Sequence, residues 1–279
     1  GGRQEAMRDE GVGRGARLHR RFRDEGRDGP LWEGSGREAA PETVLDGAEG
    51  IVKITFYAHA SFRLEADGVV VITDPYKPPL SRFDPIDEPA DLVLMSSATD
   101  EFHSDPSHIR GEPVVINTLE LPPEGVEVLG IPVRSFPAYE SLTFDFQAAA
   151  GRDPDANALY HFTLGGLRVL HMGDIGNPVD PRQLEALRGQ VDILLALTGA
   201  HATIALDDLD AAIEAIGPRV VIPMHYYNPR GILPIEPVET FLARVPPGRV
   251  TRVGGPSLEL TPETLPADAP HVYVLEQSR

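Results

Sequence analysis

From residue 51 onward the chain is cut into short β-branched runs, and few folds accommodate that pattern. Residues 51–57 and 61–66 alternate apolar and polar side chains, as half-buried strands do. Asp67-Gly68 separates 61–66 from the run 69–73, and Gly165-Gly166 separates 159–164 from 167–171. Both are hairpin signals. Residues 92–95, 113–117, 193–197 and 220–223 are short and largely apolar, the pattern of strands buried on both faces. Residues 126–128 and 132–136 are further strand candidates. Helical spacing enters later, at 206–216 after the cap candidates Thr203 and Asp207, and at 237–244. A last pair of strands, 250–253 and 257–260, is joined by Gly254-Gly255-Pro256. Hairpins come first, helices alternate with strands afterwards, and the scheme roughly repeats. This predicts an α/β (α+β) architecture: a four-layer αββα sandwich of two mixed β-sheets with outer helices.

Residues 1–50 read differently and predict a separate N-terminal arm before a domain at 51–279. The arm is rich in Gly and Arg, with six arginines between Arg14 and Arg27. Leu18 and Phe22 at i, i+4 allow a short amphipathic helix over 16–24, ended by Gly29-Pro30. An arm packing on the domain or on a neighbouring subunit, and so a homo-oligomer, is the plain expectation. Leu31, Trp32 and the arginines bordering a substrate entrance is the sharper one.

Composition removes several function classes. The chain of 279 residues has no cysteine, so disulfides, thiolate metal sites and cysteine nucleophiles are out. Any transition metal must be held by His, Asp, Glu or water. The formal charge of -18, from 43 acidic and 25 basic residues, disfavours nucleic acid and anionic lipid as partners. No run approaches the ~18–20 apolar residues of a membrane span. With no secretory pattern at the first residues, a cytoplasmic protein acting on a small molecule is expected.

Four polar clusters sit at predicted strand ends: Tyr57–Phe62, Met95–Asp105, Leu170–Gly176 and Val221–Tyr226. Together with the strings ITFYAHASFRLEADGVVVITDPY, ADLVLMSS, GEPVVIN, GLRVLHMGDIG and VVIPMHY, in that order, the chain from Ile51 to Leu260 resembles the metallo-β-lactamase fold. Within it, the chain looks like the ascorbate-6-phosphate lactonase-like hydrolases. The resemblance implies two adjacent metals and a His-x-His-x-Asp-His motif after the strand at 92–95. Aligned without gaps, Ser97, Thr99, Glu101 and Phe102 occupy those four positions, with His103 one place late. Where the family has a mid-chain histidine, this chain has Ala138, Tyr139 and Glu140. The family's bridging aspartate matches Asp174 and its last histidine matches His225.

The losses fall on one of the two metals. The family's first metal uses the His-x-His pair and the mid-chain histidine, all absent here. The second keeps chemical equivalents in Glu101, His103, Asp174 and His225. The resemblance therefore implies one divalent metal, Zn, Mn or Fe, or none if the site is wholly degenerate. Asp174, Asp100 and His59 are the expected catalytic residues. Ser97, Thr99, Glu140, His201, Arg134 and Arg230 are the expected substrate contacts. The one-residue offset of His103 can turn its side chain away unless a turn restores it.

The expected function is a metal-dependent hydrolase of a lactone, another cyclic ester or a phosphate-bearing metabolite. The first alternative is a metal-free relative that binds a small molecule, or does acid–base chemistry, in the old metal pocket. The second is a scaffold with a vestigial pocket. Nothing like Gly-x-Ser-x-Gly surrounds Ser97, and no Gly-rich phosphate loop is present.

Overall fold

A computed structural model describes residues 50–100, 102–141, 155–267 and 270–279. The N-terminal arm, its helix at 16–24 and the expected ligand Glu101 lie outside the described residues. In chain order the strands are β1 (Val52–Ala58), β2 (Ser61–Ala66), β3 (Val69–Thr73), β4 (Leu92–Met95), β5 (Val114–Asn117), β6 (Val126–Val128) and β7 (Ile131–Tyr139). They continue as β8 (Ala156–Leu164), β9 (Leu167–His171), β10 (Ile193–Leu197), β11 (Val220–Met224), β12 (Val250–Arg252), β13 (Ser257–Leu260) and β14 (His271–Val274). Four α-helices are described: α1 (Pro78–Ser81), α2 (Pro181–Leu187), α3 (Leu206–Ile216) and α4 (Val238–Leu242). None of them is long and apolar enough to cross a membrane.

The strands form two mixed sheets. One has six strands in the order β13-β1-β2-β3-β4-β5, the other eight in the order β12-β14-β11-β10-β9-β8-β7-β6. Alternation along the first sheet sorts its side chains onto two faces. Ile54, Phe56, Phe62, Leu64, Leu92 and Leu94 join Tyr160, Phe162 and Val169 of the second sheet in one core. Their neighbours Tyr57, Ile72, Val93 and Met95 enter a smaller cluster with Tyr76, Phe83 and Ile86. That face is therefore closed by the segment 74–90 with its single-turn helix α1. On the second sheet, α3 buries Leu206, Leu209, Ala212 and Ile216 along one side. It ends at Gly217 in the left-handed region (φ 69°), whose N–H bonds Ile213 O.

Three expectations need correction. Residues 250–253 and 257–260 are not a pair: β12 joins β14 in the larger sheet, while β13 joins β1 in the smaller. Gly254-Gly255-Pro256 is a crossing between sheets, because Phe56 N–H bonds Pro256 O and anchors that segment to β1. Helix α3 is capped by neither Thr203 nor Asp207; its N-cap is Ala205, and Asp207 sits inside the first turn. There its charge favours the helix dipole instead. Three elements carry no expectation from the sequence: the single-turn helix α1, the helix α2, where Asp180 accepts from Arg182 N–H before Pro181, and the parallel strand β14.

The topology positions the site. Strands β3, β4 and β5 run parallel, as do β9, β10 and β11, so each group brings its carboxyl ends to one edge. The residues leaving β3, β4, β9 and β11 are Asp74, Ser96, Met172 and His225. Mixed sheets bind ligands at such edges.

Candidate metal centre

The site is built around His103. After β4, Phe102 N–H bonds Asp100 Oδ1 at 2.8 Å and His103 N–H bonds Asp100 O at 3.0 Å. This tight turn sets the Asp100 and His103 side chains next to each other, with His103 Nε2 3.7 Å from Asp100 Oδ2. The offset seen in the sequence is absorbed by that turn, and the carboxylate it presents is Asp100. Fully buried His103 directs Nδ1 to Asp74 Oδ2 at 2.9 Å, which leaves Nε2 facing Asp100 and Asp174. A carboxylate behind an imidazole fixes its tautomer in this way.

Asp74 is itself held on every side. Its Oδ1 accepts from Ser96 N–H and Tyr160 O–H, both at 2.9 Å, and its Oδ2 accepts from Ser96 Oγ at 2.6 Å. Burial opposes its ionisation, but His171, His103 and Ser96 outweigh this and hold its pKa below the usual carboxylate range. Sequence reading missed Asp74 because Asp-Pro at a strand end looks like an ordinary turn.

Asp174 and His225 arrive from the second sheet. Gly173, at φ 60°, turns the chain so that Asp174 N–H meets Asn157 Oδ1 at 2.8 Å. His225 leaves β11 with φ 52°, and its N–H bonds His59 O at 2.7 Å. His225 Nε2 lies 3.2 Å from Asp174 Oδ1, and His103 Nε2 lies 3.6 Å from the same oxygen. His59, in the left-handed region (φ 59°) of the β1–β2 turn, lies 4.0 Å from His225 and 4.7 Å from His103, ring centre to ring centre, with the rings tilted by 40° and 58°. Non-glycine residues in that backbone region are uncommon and cluster where a site imposes them.

The electrostatics are those of crowded donors. Burial works against a charged His103, yet Asp174, Asp100 and Asp74 outweigh it and raise its pKa to about 10. Burial, with Asp174 and Asp74 adding, pushes Asp100 up to about 7 against the pull of His103. Burial, Asp174 and Asp100 push Glu140 up to about 8. Burial keeps His59 well below the usual histidine value, and its neighbours His225 and His103 add to this.

These residues fit a divalent cation. His59 Nε2, His103 Nε2, Asp174 Oδ1 and His225 Nδ1 are buried without a hydrogen-bond partner. Such orphans are rare in folded proteins and call for a ligand. The donor atoms of Asp100, His103 and Asp174 lie within 4.8 Å of one another, as do those of His59, His103 and His225. By contrast, His171 is spent: its Nε2 pairs with Ala60 O and its Nδ1 accepts from Gly173 N–H.

The remaining expected residues fall at varied distances from this centre. Glu140 accepts from Asn157 Nδ2 at 3.0 Å, and the same amide orients Asp174. Ser97 Oγ and Thr99 Oγ1 bond each other at 3.1 Å within the turn before Asp100. His201 pairs with Glu236 at 2.8 Å on an exposed loop. Arg230 is not offered to an anion, because both its terminal nitrogens bond Asp84 at 2.8 Å. Arg134 is not brought to the site either. It lies on β7 opposite His161, six residues before Glu140, which is about 20 Å of strand.

Comparison with known proteins agrees with this architecture. Residues 53–225 match the family model of the beta-lactamase superfamily domain. A UPF0173 metal-dependent hydrolase of Thermococcus onnurineus is 28% identical over 197 residues, covering 63% of this chain and 85% of that protein. A UPF0173 metal-dependent hydrolase of Geobacillus thermodenitrificans is 26% identical over 216 residues, covering 71% and 94%. Among solved structures, a proposed Zn-dependent hydrolase of the metallo-beta-lactamase superfamily from Thermotoga maritima superposes with a TM-score of 0.62. It is 27% identical and covers 81% of this chain and 99% of its own. The two-sheet sandwich, the strand-end placement of the donors and these matches lead to one conclusion: the chain belongs to the metallo-β-lactamase superfamily.

Proposed function

We propose that this protein is a metal-dependent hydrolase working with a single divalent metal. Asp100, His103, Asp174 and His225 would hold it, with His59 against them. The observation that carries this reading is the convergence of His103 Nε2 and His225 Nε2 on Asp174 Oδ1, at 3.6 and 3.2 Å, with His103 Nε2 and Asp174 Oδ1 buried and without a hydrogen-bond partner. Imidazoles and carboxylates in this mixture suit Zn, Mn or Fe(II). The relatives named as metal-dependent hydrolases support it. When bound, such a metal supplies a water that ionises near neutral pH and polarises the oxygen of the bond to be cleaved.

The chain's own residues do the rest. Asp74 holds the His103 ring so that Nε2 stays in the pocket. Asn157 ties Asp174 and Glu140 to one amide, which fixes their spacing. Glu140 is the carboxyl left over from the ligand set, and it supplies the acid–base group beside the substrate. The substrate is a small ester, in the first place a lactone.

Elemental analysis of protein purified without chelator or affinity-tag metal tests the reading. About one equivalent of Zn, Mn or Fe is expected in the wild type and is lost in Asp174→Ala and His225→Ala. A wild type that holds no metal, and takes up none from added Zn or Mn, overturns it and leaves an acid–base pocket.

A further inference from the structure

Three ring nitrogens of the centre share one condition. His59 Nε2, His103 Nε2 and His225 Nδ1 are each buried without a hydrogen-bond partner among the described residues. One donor nitrogen from each of these three side chains falls within 4.8 Å of the other two. The rings come from separate parts of the chain: the turn between β1 and β2, the turn after β4, and the end of β11. The backbone ties two of them together, since His225 N–H bonds His59 O at 2.7 Å. Both of those residues carry a positive φ, 59° and 52°, a conformation that persists where the surroundings impose it.

The far edges of two rings decide which nitrogen is left over. His103 Nδ1 meets Asp74 Oδ2 at 2.9 Å, which leaves Nε2. His225 turns Nε2 to Asp174 Oδ1 at 3.2 Å, which leaves Nδ1. A carboxylate behind an imidazole orients it as a metal ligand and raises its basicity. In this use Asp174 stands behind a ligand, whereas in the carboxylate-rich set it is a ligand itself. His103 is common to both sets, because Asp100, His103 and Asp174 also bring donor atoms within 4.8 Å of one another. With Nδ1 taken by Asp74, His103 has one lone pair to offer and serves one ion at a time.

We propose that the centre contains a second, three-imidazole metal position, made by His59 Nε2, His103 Nε2 and His225 Nδ1 and exclusive with the position at Asp100, His103 and Asp174. Imidazoles suit Zn²⁺, Ni²⁺ and Cu²⁺, whereas carboxylates suit Mn²⁺ and Mg²⁺. The chain therefore sorts divalent ions by position. An ion of the first kind entering the imidazoles takes His103 away from an ion of the second kind and releases it. The position is defined by ion binding and does not depend on hydrolysis.

The test uses the full chain exchanged into Co²⁺ or Mn²⁺. Co²⁺ stands in for Zn²⁺ and shifts the ring N–H proton of each coordinated imidazole far outside the ordinary proton NMR range. Mn²⁺ is followed by electron paramagnetic resonance. The Co²⁺ wild type should show three shifted, exchangeable ring N–H signals. Co²⁺ added to the Mn²⁺-loaded wild type should release Mn²⁺ one for one. His59→Gln removes one imidazole and Asp100→Asn removes one carboxylate ligand. A lost ligand costs at least the ~10-fold of a lost outer partner, so His59→Gln should weaken Co²⁺ by about tenfold or more and leave Mn²⁺ within about twofold. Asp100→Asn should do the reverse, and the probe that each variant keeps shows that it is folded. One or two signals in the wild type, no uptake of Co²⁺, or Co²⁺ and Mn²⁺ held together overturns the three-imidazole position, and these results need no variant. So does an unchanged Co²⁺ affinity, or an equal loss of both ions, in His59→Gln with wild-type circular dichroism. The hydrolase reading survives such a result where the wild type still holds metal and cleaves an ester. Three signals in a protein that cleaves no ester keep the position and fail that reading instead.

Discussion

His103 Nδ1 and Asp74 Oδ2 lie 2.9 Å apart with both side chains wholly buried. The pair joins the two shells of the centre, because the ring that faces Asp174 is set by a carboxylate from a different strand end. Asp74→Asn leaves the shape intact but places a donor among Ser96 N–H, Ser96 Oγ and Tyr160 O–H. Such outer partners are worth ~10–100-fold in metal affinity. Competition titration with a chromophoric chelator should show Asp74→Asn weaker by at least tenfold. Breaking a buried charge pair also costs about 3–5 kcal/mol, visible in urea unfolding. An unchanged affinity would mean that His103 needs no orienting partner.

Asp100 makes the stability of the metal-free protein depend on pH. Its pKa is about 7 in the fold against ~3.9 in an unfolded chain. Between those values the folded state binds more protons, so stability falls as pH rises. Asp100→Asn lacks this loss. Metal-free wild type should therefore lose stability relative to Asp100→Asn between about pH 4 and 7. Added metal reverses the order at pH 7, because only the wild type keeps its full ligand set. Parallel wild-type and variant curves without metal would count against a crowded carboxylate here.

The comparison of sequence with structure divides along physical lines. Strands with internal alternation or a Gly turn were legible because those signals are local. Strand β14 was not, since its parallel partners β11 and β12 lie far away in sequence. Gly254-Gly255-Pro256 was misread because the same residues serve a tight turn or a crossing, and long-range pairing decides between them. Asp174 and His225 stood out at strand ends. Which carboxylate joins them depends on the direction of a side chain in the turn Asp100–His103, and periodicity does not determine that.

The Arg168–Asp192 pair governs acid stability away from the site. Asp192 accepts from Arg168 N–H and Nε, both at 2.9 Å, and from its terminal nitrogen at 2.8 Å. Partial burial opposes ionisation of Asp192, but these bonds hold its pKa below the usual range. Its contribution is present above the unfolded value of ~3.9 and is lost as pH falls through the lower folded value. Because Arg168 is partly exposed, screening limits the contribution to ~1–2 kcal/mol. Denaturant titration should find Asp192→Asn less stable by that amount at pH 7, with the gap closing below about pH 3.9.

Gly173 shows why the approach to Asp174 tolerates no side chain. At φ 60°, a Cβ on this residue would sit 2.2 Å from Ala158 O, 2.4 Å from Asn157 Oδ1 and 2.8 Å from Ser96 Cβ. The first contact is backbone of β8, which cannot move without disturbing its pairing with β7 and β9. The second is the amide that orients both Asp174 and Glu140. Gly173→Ala therefore strains the fold and displaces a ligand together, costing about 2–4 kcal/mol. Its metal content should fall further than its stability explains, since Asp174 loses the bond that aims it. Full metal occupancy in a folded Gly173→Ala would show that Asp174 does not depend on Asn157 for its position.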